Sequence, residues 1–477
     1  MARRTKIIAT IGPASDSEAA IKGLIEAGMD VARLGLAHGS IEHQLERYHR
    51  IRQMADEAGR PVGIMVDLPG PKVRAGPMPE EGLALEPGQE LRLVPSSTAA
   101  STGEVIHVDY ESLLTDVHQG DRVSFGDGAV TAEAVDRSKD AVVIRVSHGG
   151  LLQGRPGVHI PSERLRLTTP TKDDLIALDA FVEVGVDMVA LSFVRSAHDI
   201  RRVGTEPHPR GPLVIAKVET RAAVENLEGI IEAAGAVMVA RGDLGAEMPI
   251  EELPHLQKRI LRRCIALGRP AITATQMLES MIHAPTPTRA EASDIANAVF
   301  DGSSALMLSA ETAIGDDPAN AVATMARIAE RADFEFDYDG WPEQLAKLYI
   351  GPSNEVDDVV TNGMTNAAWR AAVETGAAAI VCVTLTGFTV RSIARFRPQA
   401  HIYGLSTDQR TVNQLTLSWG ATPVLLEPGL TQPQAIAHSV EVAKQRGGLH
   451  SGDLVLVLSG SPEYPGQATD SLKLVRI

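Results

Sequence analysis

Short apolar runs alternate along this chain with longer segments of helical periodicity. Lys6–Gly12 predicts a buried strand, and Ser17–Ala27 predicts the helix that follows it. Asp30–Leu36, a helix over Ile41–Ala58, and Pro61–Asp67 repeat the pattern. A βαβα rhythm of this kind is typical of a parallel sheet with helices outside it.

The rhythm stops between about residues 70 and 167. There the apolar runs are short, alternate with polar residues and are separated by turn dipeptides. This spacing predicts a small all-β domain inserted into the α/β domain. Its predicted strands are Leu91–Val94, Glu104–Val108, Arg122–Phe125 and Ala141–Val146.

The βα rhythm resumes at Leu175 and supplies five more strands. They are predicted at Asp187–Phe193, Leu213–Val218, Ala236–Arg241, Pro270–Thr275 and Ala305–Ser309. Eight strands, each followed by a helix, fit a (β/α)8 TIM barrel, with an open sheet as the alternative. The strand ends favour the barrel, because they carry polar residues and would meet at one mouth. These residues are Arg33, Asp67, Ser192, Lys217, Glu219, Asp243 and Thr275.

A third block follows a change of composition near Gly340 and predicts a smaller α/β domain with a mostly parallel sheet. Its strands are predicted at Ala378–Val383, His401–Leu405, Thr422–Leu426, Asp453–Ser459 and Leu472–Ile477. We therefore expect a barrel over residues 1–70 and 168–345, an inserted β lid over 71–167, and a C-terminal domain over 346–477.

Composition narrows the function classes. The net charge of −16 over 477 residues argues against non-specific nucleic-acid binding. No stretch approaches 18 uninterrupted apolar residues, and the apolar run after the basic start is only Ile7–Ile11, so neither a membrane span nor a signal peptide is predicted. Two distant cysteines, Cys264 and Cys382, weakly suggest a reducing compartment. A cytoplasmic location is the expectation.

The most informative pair is Lys217 and Glu219, which share one face at the end of a predicted buried strand. Charges are costly to bury unpaired, so the pair needs a reason. One interpretation is a structural ion pair. The other is a site in which Glu219 and Asp243 bind a divalent cation while Lys217 binds a charged substrate oxygen.

Other candidates lie near the same strand ends. Asp243 stands in Arg-Gly-Asp-Leu-Gly, which is either a surface turn or a strand-to-helix turn whose amides approach an anion. Arg33 and Arg74 are candidate phosphate ligands, because a guanidinium suits phosphate oxygens. Thr275 could pass a proton directly or through water. His38 is a candidate nucleotide contact.

Several segments resemble pyruvate kinase in sequence and in order. They are Thr5–Pro13, Val214–Glu219, Met238–Gly245, Ile272–Met281, Pro287–Glu291 and Asp301–Ser309. The family's architecture is a barrel, a β lid inserted after the third strand and a C-terminal α/β domain. The resemblance implies a glycolytic phosphotransferase that moves the phosphoryl group of phosphoenolpyruvate to ADP, giving pyruvate and ATP.

The resemblance also implies roles for the candidate residues. Arg33 and Lys217 would bind and stabilise the phosphoryl group, and Arg74 would serve the phosphates near the lid. Glu219 and Asp243 would bind Mg²⁺ or Mn²⁺. The backbone of Gly242 and Asp243 would hold the substrate carboxylate, and Thr275 would help to protonate the enolate. Asp127 matches the lid motif, and a homotetramer is the family expectation.

The chain departs from the family at the monovalent-cation site. The usual Asn and Ser after the second strand are Gly35 and Ala37, and the usual Thr after the third strand's Asp is Leu68. Lys72 replaces the acidic residue of the following motif, as in the potassium-independent subset. We predict that the Lys72 ammonium substitutes for K⁺ and that K⁺ is not required.

Two alternatives to an active kinase stay open at this point. One is another metal-dependent pyruvate-enolate enzyme, such as an aldolase. The other is a weakly active paralogue that acts as a metabolite-binding or regulatory protein. In the C-terminal domain, the loop of Thr384, Thr386, Gly387 and Thr389 resembles the family's effector loop, and it either binds a phosphorylated effector or is a turn with an N-cap threonine.

Overall fold

The computed structural model describes residues 3–37, 39–126, 128–161, 165–348, 356–447, 449–460 and 468–477. The first three barrel strands are β1 (Lys6–Thr10), β2 (Val31–Gly35) and β3 (Gly63–Leu68), with helices α1 (Glu18–Ala27) and α2 (Ile41–Glu57) between them. Ser17 caps α1 by accepting from the amide of Ala20, and Gly28 ends it at φ 115°.

The inserted domain follows β3. It contains α3 (Leu113–Asp116) and eight strands, which are β4 (Leu83–Leu85), β5 (Glu90–Pro95), β6 (Val105–Val108), β7 (Arg122–Phe125), β8 (Val130–Arg137), β9 (Val142–His148), β10 (Gly150–Leu152) and β11 (Val158–His159). All four predicted strands are present. The sequence prediction missed the other four, of which β8 is the longest in the insert.

The inserted strands form a six-stranded sheet in the order β11-β7-β8-β9-β5-β6, beside the pair β10-β4. The hinge, which we define as residues 69–75 between β3 and the inserted strands, joins the two edges of the larger sheet, because Arg74 bridges to Gly157 and Ala75 bridges to Val108. The hinge therefore completes the ring of this small β domain, whose own core includes Phe125 and Ile144.

The barrel then resumes with β12 (Met188–Leu191), β13 (Leu213–Val218), β14 (Ala236–Ala240), β15 (Ala271–Ala274) and β16 (Ala305–Leu308). Its helices are α4 (Lys172–Glu183), α5 (Ala197–Arg201), α6 (Arg221–Glu225), α7 (Leu227–Ala233), α8 (Arg241–Glu247), α9 (Leu253–Ala266), α10 (Arg289–Phe300), α11 (Ala310–Ala313) and α12 (Pro318–Phe334). Short 3-10 turns cover Ile250–Glu252 and Glu279–Ile282. The eight parallel strands close in the order β1-β16-β15-β14-β13-β12-β3-β2, so the predicted TIM barrel is confirmed.

The C-terminal domain is also confirmed as an α/β unit. Its elements are α13 (Trp341–Lys347), α14 (Val356–Thr375), β17 (Ala379–Val383), α15 (Phe388–Ala394), β18 (His401–Ser406), α16 (Gln409–Gln414), β19 (Ala421–Leu425), α17 (Gln432–Gly447), β20 (Leu454–Ser459) and β21 (Ser471–Arg476), with a 3-10 turn at Leu415–Leu417. The sheet order is β19-β18-β17-β20-β21, and only β21 is antiparallel. The exact domain boundaries stay predictions.

The C-terminal domain packs against the bottom of the barrel, where its strands begin. Leu417 is fully buried in the cluster of side chains that fills the barrel interior, with Ile8, Met65 and Met188. Asp187, at the start of β12, accepts from Nδ2 of Asn413 at 3.0 Å. One domain therefore supplies part of the other's core.

No described helix combines the length and the apolar composition that crossing a membrane would require.

Candidate active site

Asp67 lies at the centre of a charged cluster at the barrel mouth. Its Oδ2 accepts from Nε of Arg33 at 2.7 Å, and its Oδ1 lies 3.4 Å from Nζ of Lys217. The same Nζ donates to Oγ of Ser192 at 2.6 Å. Strands β2, β3 and β13 thus bring three of the predicted strand-end residues together, and Ser192 follows β12 at the same level.

Lys217 is a buried cation between carboxylates. Its Nζ lies 3.3 Å from Oε2 of Glu219, as expected for residues on one face of a strand. Burial disfavours the charged ammonium, but Asp67, Glu219 and Asp243 outweigh it and raise the pKa of Lys217 above its usual range. Lys217 therefore stays protonated at any pH near neutrality.

The Glu219 carboxylate accepts a hydrogen bond from a residue whose backbone is strained. Its Oε1 accepts from the amide of Phe193 at 2.7 Å, and Phe193 has φ 54°, in the left-handed region that a bulky residue rarely adopts. Burial raises the pKa of Glu219 to about 7, while Lys217 opposes that shift and Asp243 adds to it. A carboxyl group with this environment will ionise fully once a second cation is near.

Asp243 lies in the first turn of α8, which begins directly after β14. Its carboxylate and Oε2 of Glu219 accept no hydrogen bond from any residue that the structure describes. In the same described part of the chain, no group of three or more His, Cys, Asp or Glu side chains converges on a metal position. Oε2 of Glu219 is engaged by the Lys217 ion pair but by no hydrogen bond, and such a pair of carboxylates suits a hard divalent cation that takes its remaining ligands from substrate and water, so the residues fit Mg²⁺.

Thr275 and Gly242 contact each other directly. The amide of Gly242 donates to Oγ1 of Thr275 at 2.8 Å, and that hydroxyl donates to the carbonyl of Ala274. Thr275 has φ 69° and Gln276 has φ 53°, so this turn is strained in the way that functional loops often are. The arrangement places one hydroxyl and one amide of the predicted substrate site side by side.

Arg241 holds this turn in place, and the sequence interpretation gave it no role. Its guanidinium donates to Oδ2 of Asp294 at 2.7 Å and to the backbone carbonyls of Ala274, Thr275 and Gln276. Ser192 and Phe193 were likewise seen only as a strand end. The spacing of Arg241 before Gly-Asp was the available signal, but its partners on β15 and α10 are distant in sequence.

Comparisons with known proteins agree along the whole chain. The family model "Pyruvate kinase, barrel domain" matches residues 2–322, and "Pyruvate kinase, alpha/beta domain" matches residues 362–475. A pyruvate kinase of Geobacillus stearothermophilus is 38% identical over 479 residues, covering 99% of this chain and 80% of that protein. One from Clostridium acetobutylicum is 35% identical over 477 residues, covering 99% of both.

The chain belongs to the pyruvate kinase family. It is therefore an enzyme of the phosphotransferase class, and this family generally uses Mg²⁺. Membership in the pyruvate kinase family also accounts for the β domain inserted after the third strand.

The departures from the pyruvate kinase pattern lie at the end of β2, at the end of β3 and in the hinge that follows β3. Lys72 is exposed, and a Cβ built on Gly157 would lie 3.2 Å from its Cε, so its side chain leans on the inserted domain and not on Asp67. Arg74 is half-buried, and its guanidinium lies 3.5 Å from the carbonyl of Arg155. Gly35 has open space, since a Cβ there would meet only the Arg33 guanidinium at 3.9 Å. His38 and Asp127 lie outside the described residues.

The loop that resembles the pyruvate kinase effector loop is a turn stabilised by its own hydroxyls, but the N-cap residue of α15 is Gly387 and not a threonine. Oγ1 of Thr384 accepts from the amide of Gly387 at 3.0 Å, and Oγ1 of Thr386 accepts from the amide of Phe388 at 3.3 Å, so both hydroxyls stabilise their own turn. The loop also lines a cavity of about 480 Å³ with Thr389. Among the described lining residues, none is Lys or Arg.

Proposed function

We propose that the chain transfers the phosphoryl group of phosphoenolpyruvate to ADP at the barrel mouth, giving pyruvate and ATP. The observation that carries this proposal is the Lys217 ammonium, buried against Asp67 and Glu219 and next to Asp243. Phosphoryl transfer depends mainly on positioning and on stabilising negative charge, and a fixed, permanently protonated lysine supplies both.

The candidate residues divide the work by their positions. Arg33 and Lys217 bind phosphoryl oxygens, with Asp67 orienting both cations. Glu219 and Asp243 hold Mg²⁺ (or Mn²⁺), which when bound neutralises phosphoryl charge. The Gly242 and Asp243 amides donate to the substrate carboxylate, which would compete with the Thr275 hydroxyl for the Gly242 amide.

Proton transfer and nucleotide binding complete the proposal. Thr275 participates in protonating the enolate, through its hydroxyl and a water molecule. Arg74 and His38 contact the nucleotide phosphates near the hinge, and Asp127 belongs to the lid that excludes water. The homotetramer and the cytoplasmic location stay predictions.

We further propose that the enzyme does not require K⁺. Support comes from the ligand set, because Gly35, Ala37 and Leu68 offer no side-chain oxygen, and Asp67 is already paired with two cations. Lys72 at the hinge would reach the site when the inserted domain closes.

The test is pyruvate formation from phosphoenolpyruvate and ADP with Mg²⁺, measured with K⁺ and with tetramethylammonium in its place. We expect equal rates. Lys72→Glu should create a K⁺ requirement, whereas the matched exposed lid variant Lys139→Glu should not. A strong K⁺ requirement of the unmodified enzyme would overturn K⁺ independence. Absence of pyruvate formation would instead favour the regulatory paralogue, and pyruvate release from an aldol substrate without ADP would favour the aldolase.

A phosphorylated effector at the C-terminal cavity is a second proposal. The hydroxyls of Thr384, Thr386 and Thr389 line that cavity, although two of them already bind their own backbone. Glucose 6-phosphate serves as the probe. We expect it to lower the KM for phosphoenolpyruvate, and Thr386→Val should abolish the effect. An unchanged KM across millimolar probe would count against the site.

A further inference from the structure

A small cavity at the junction of the barrel bottom and the C-terminal domain has an unusual lining. Four of its lining residues are arginines, and none of its described lining residues is acidic. The arginines are Arg269, Arg391, Arg395 and Arg397. The cavity measures about 20 Å³, which is room for a single guest near the size of a water molecule.

Arg391 is the arginine whose donors are not satisfied. It lies on α15 and is only 3% exposed. One terminal nitrogen donates to the carbonyl of Thr386 at 3.1 Å, but Nε and Nη1 have no hydrogen-bond partner among the described residues. Arg397 differs, because its two terminal nitrogens donate to the carbonyls of Val299 and Ser303. Arg391 therefore supplies two unmet donors to this cavity, and the lining also includes Ser418, whose Oγ has no hydrogen-bond partner among the described residues.

Among the described residues, no acidic group offsets the charge of Arg391. Burial, and then the charge of Arg269, lower the pKa of Arg391 to about 9, so it remains a cation near pH 7. Burial and the same two arginines lower the pKa of His208 to about 3, so the imidazole stays neutral. The carboxylate of Asp333, behind Trp419, already accepts from the amides of Arg4 and Thr5 and does not line the cavity.

A buried guanidinium with unmet donors and no carboxylate is costly, and a bound anion would remove both costs. We propose that this cavity binds one small monovalent inorganic anion of the chloride type, held by Nε and Nη1 of Arg391 with Arg269 and Arg395 contributing charge. A water molecule would satisfy the donors but not the charge. The site is separate from the phosphoryl-transfer site at the opposite end of the barrel.

The position suggests what the anion would stabilise. The guanidinium that would hold it also donates to Thr386 in the effector-like loop, and Arg269 follows α9 of the barrel. The anion would therefore bridge the two domains beneath that loop.

The first test is crystallographic and uses the unmodified protein. Crystals grown without halide and soaked in bromide should show an anomalous difference peak within hydrogen-bonding distance of Nε or Nη1 of Arg391. Density that is present but lacks anomalous signal would identify water, and it would overturn the proposal, as would no density.

The second test is in solution and compares chloride with gluconate at constant ionic strength. We expect chloride to raise the thermal midpoint saturably, by about 2–4 °C. Arg391→Met should lose this shift. Arg410→Met is the matched control, since Arg410 lies at the same domain junction but donates to the carbonyl of Arg210 outside this cavity. A shift that is non-saturable, or equal in Arg391→Met, would contradict the site. If Arg391→Met fails to fold, Arg391→Lys should weaken the chloride response.

Discussion

The barrel mouth and the arginine-lined cavity at the barrel bottom bury charge in opposite ways. At the mouth, cations and carboxylates alternate, with Lys217 between Asp67 and Glu219, and the pKa of Lys217 is raised despite burial. At the bottom, Arg391 and Arg397 are buried with little or no acid beside them, and burial lowers the pKa of each, to about 9 and about 10. The signs of the neighbours, more than the depth of burial, decide whether a buried base is stabilised as a cation. The mouth carries its own counter-charges, whereas the cavity around Arg391 calls for one from solution.

Replacement of the central cation at the mouth should have the largest effect. Lys217→Met should lower kcat by about 100- to 1,000-fold, because charge developing on the phosphoryl group loses a preorganised cation. Steady-state kinetics with circular dichroism would separate this from unfolding. Lys444→Met, on the exposed face of α17, should leave kcat unchanged. A near-normal rate for Lys217→Met would show that the buried cation at the mouth is not needed for phosphoryl transfer.

Substitutions of the two buried arginines at the barrel bottom should change the free energy of unfolding, and by different amounts. Arg397→Met should reduce the free energy of unfolding by about 2–4 kcal/mol, because two buried carbonyls lose a charged donor. In halide-free buffer, Arg391→Met should change it by less than about 1 kcal/mol or raise it, since an uncompensated buried charge is removed. Urea denaturation checks both. Equal losses would mean that Arg391 is paired after all.

Metal binding at the barrel mouth should depend on pH. Because the pKa of Glu219 is raised to about 7, protons compete with metal below neutrality. Binding of Mn²⁺ or Mg²⁺ should therefore be about tenfold tighter at pH 8 than at pH 6. Isothermal titration calorimetry measures this. Glu219→Gln should bind weakly with little pH dependence, and a pH-independent affinity of the unmodified enzyme would argue against Glu219 as a ligand.

The smallest effect concerns acid sensitivity of the bottom. The folded-state pKa of His208, about 3, lies below its unfolded value, so the unfolded chain takes up a proton first and stability is lost as pH falls below about 6.5. Between pH 6.5 and 5 this loss should be about 1–2 kcal/mol. His208→Gln should remove that part of the slope, while the exposed His255→Gln should not. Identical slopes in all three proteins would show that His208 is not so perturbed.

Most of the fold could be predicted from local sequence patterns. All eight barrel strands were predicted, because each is a largely apolar run with a charged or polar residue at or near its end, such as Asp67 or Lys217. In the inserted domain the signal was weaker. β8 was missed, since Val130–Arg137 contains three charged residues and its pairing with β9 is irregular.

The site could be predicted in composition but less well in its contacts. Strand ends converging on one mouth explain why Arg33, Lys217 and Glu219 were found together. The hydrogen bond between Gly242 and Thr275 depends on the left-handed backbone conformation of Thr275, which a threonine in the sequence does not predict. The arginine-lined cavity at the bottom could not be predicted from the sequence, for a different reason. Whether Arg391 has a partner depends on residues from both domains, and no local pattern records an absence.

Leu417 is fully buried within the barrel interior, and this constrains how the C-terminal domain can be exchanged between relatives. Two family models divide the chain into two stretches, yet the second stretch provides the floor of the first one's barrel. A chimera that exchanges C-terminal domains between relatives must therefore match the Leu415–Leu417 turn to the barrel that receives it. The two stretches are separate in sequence, but the second one contributes a side chain to the interior of the first.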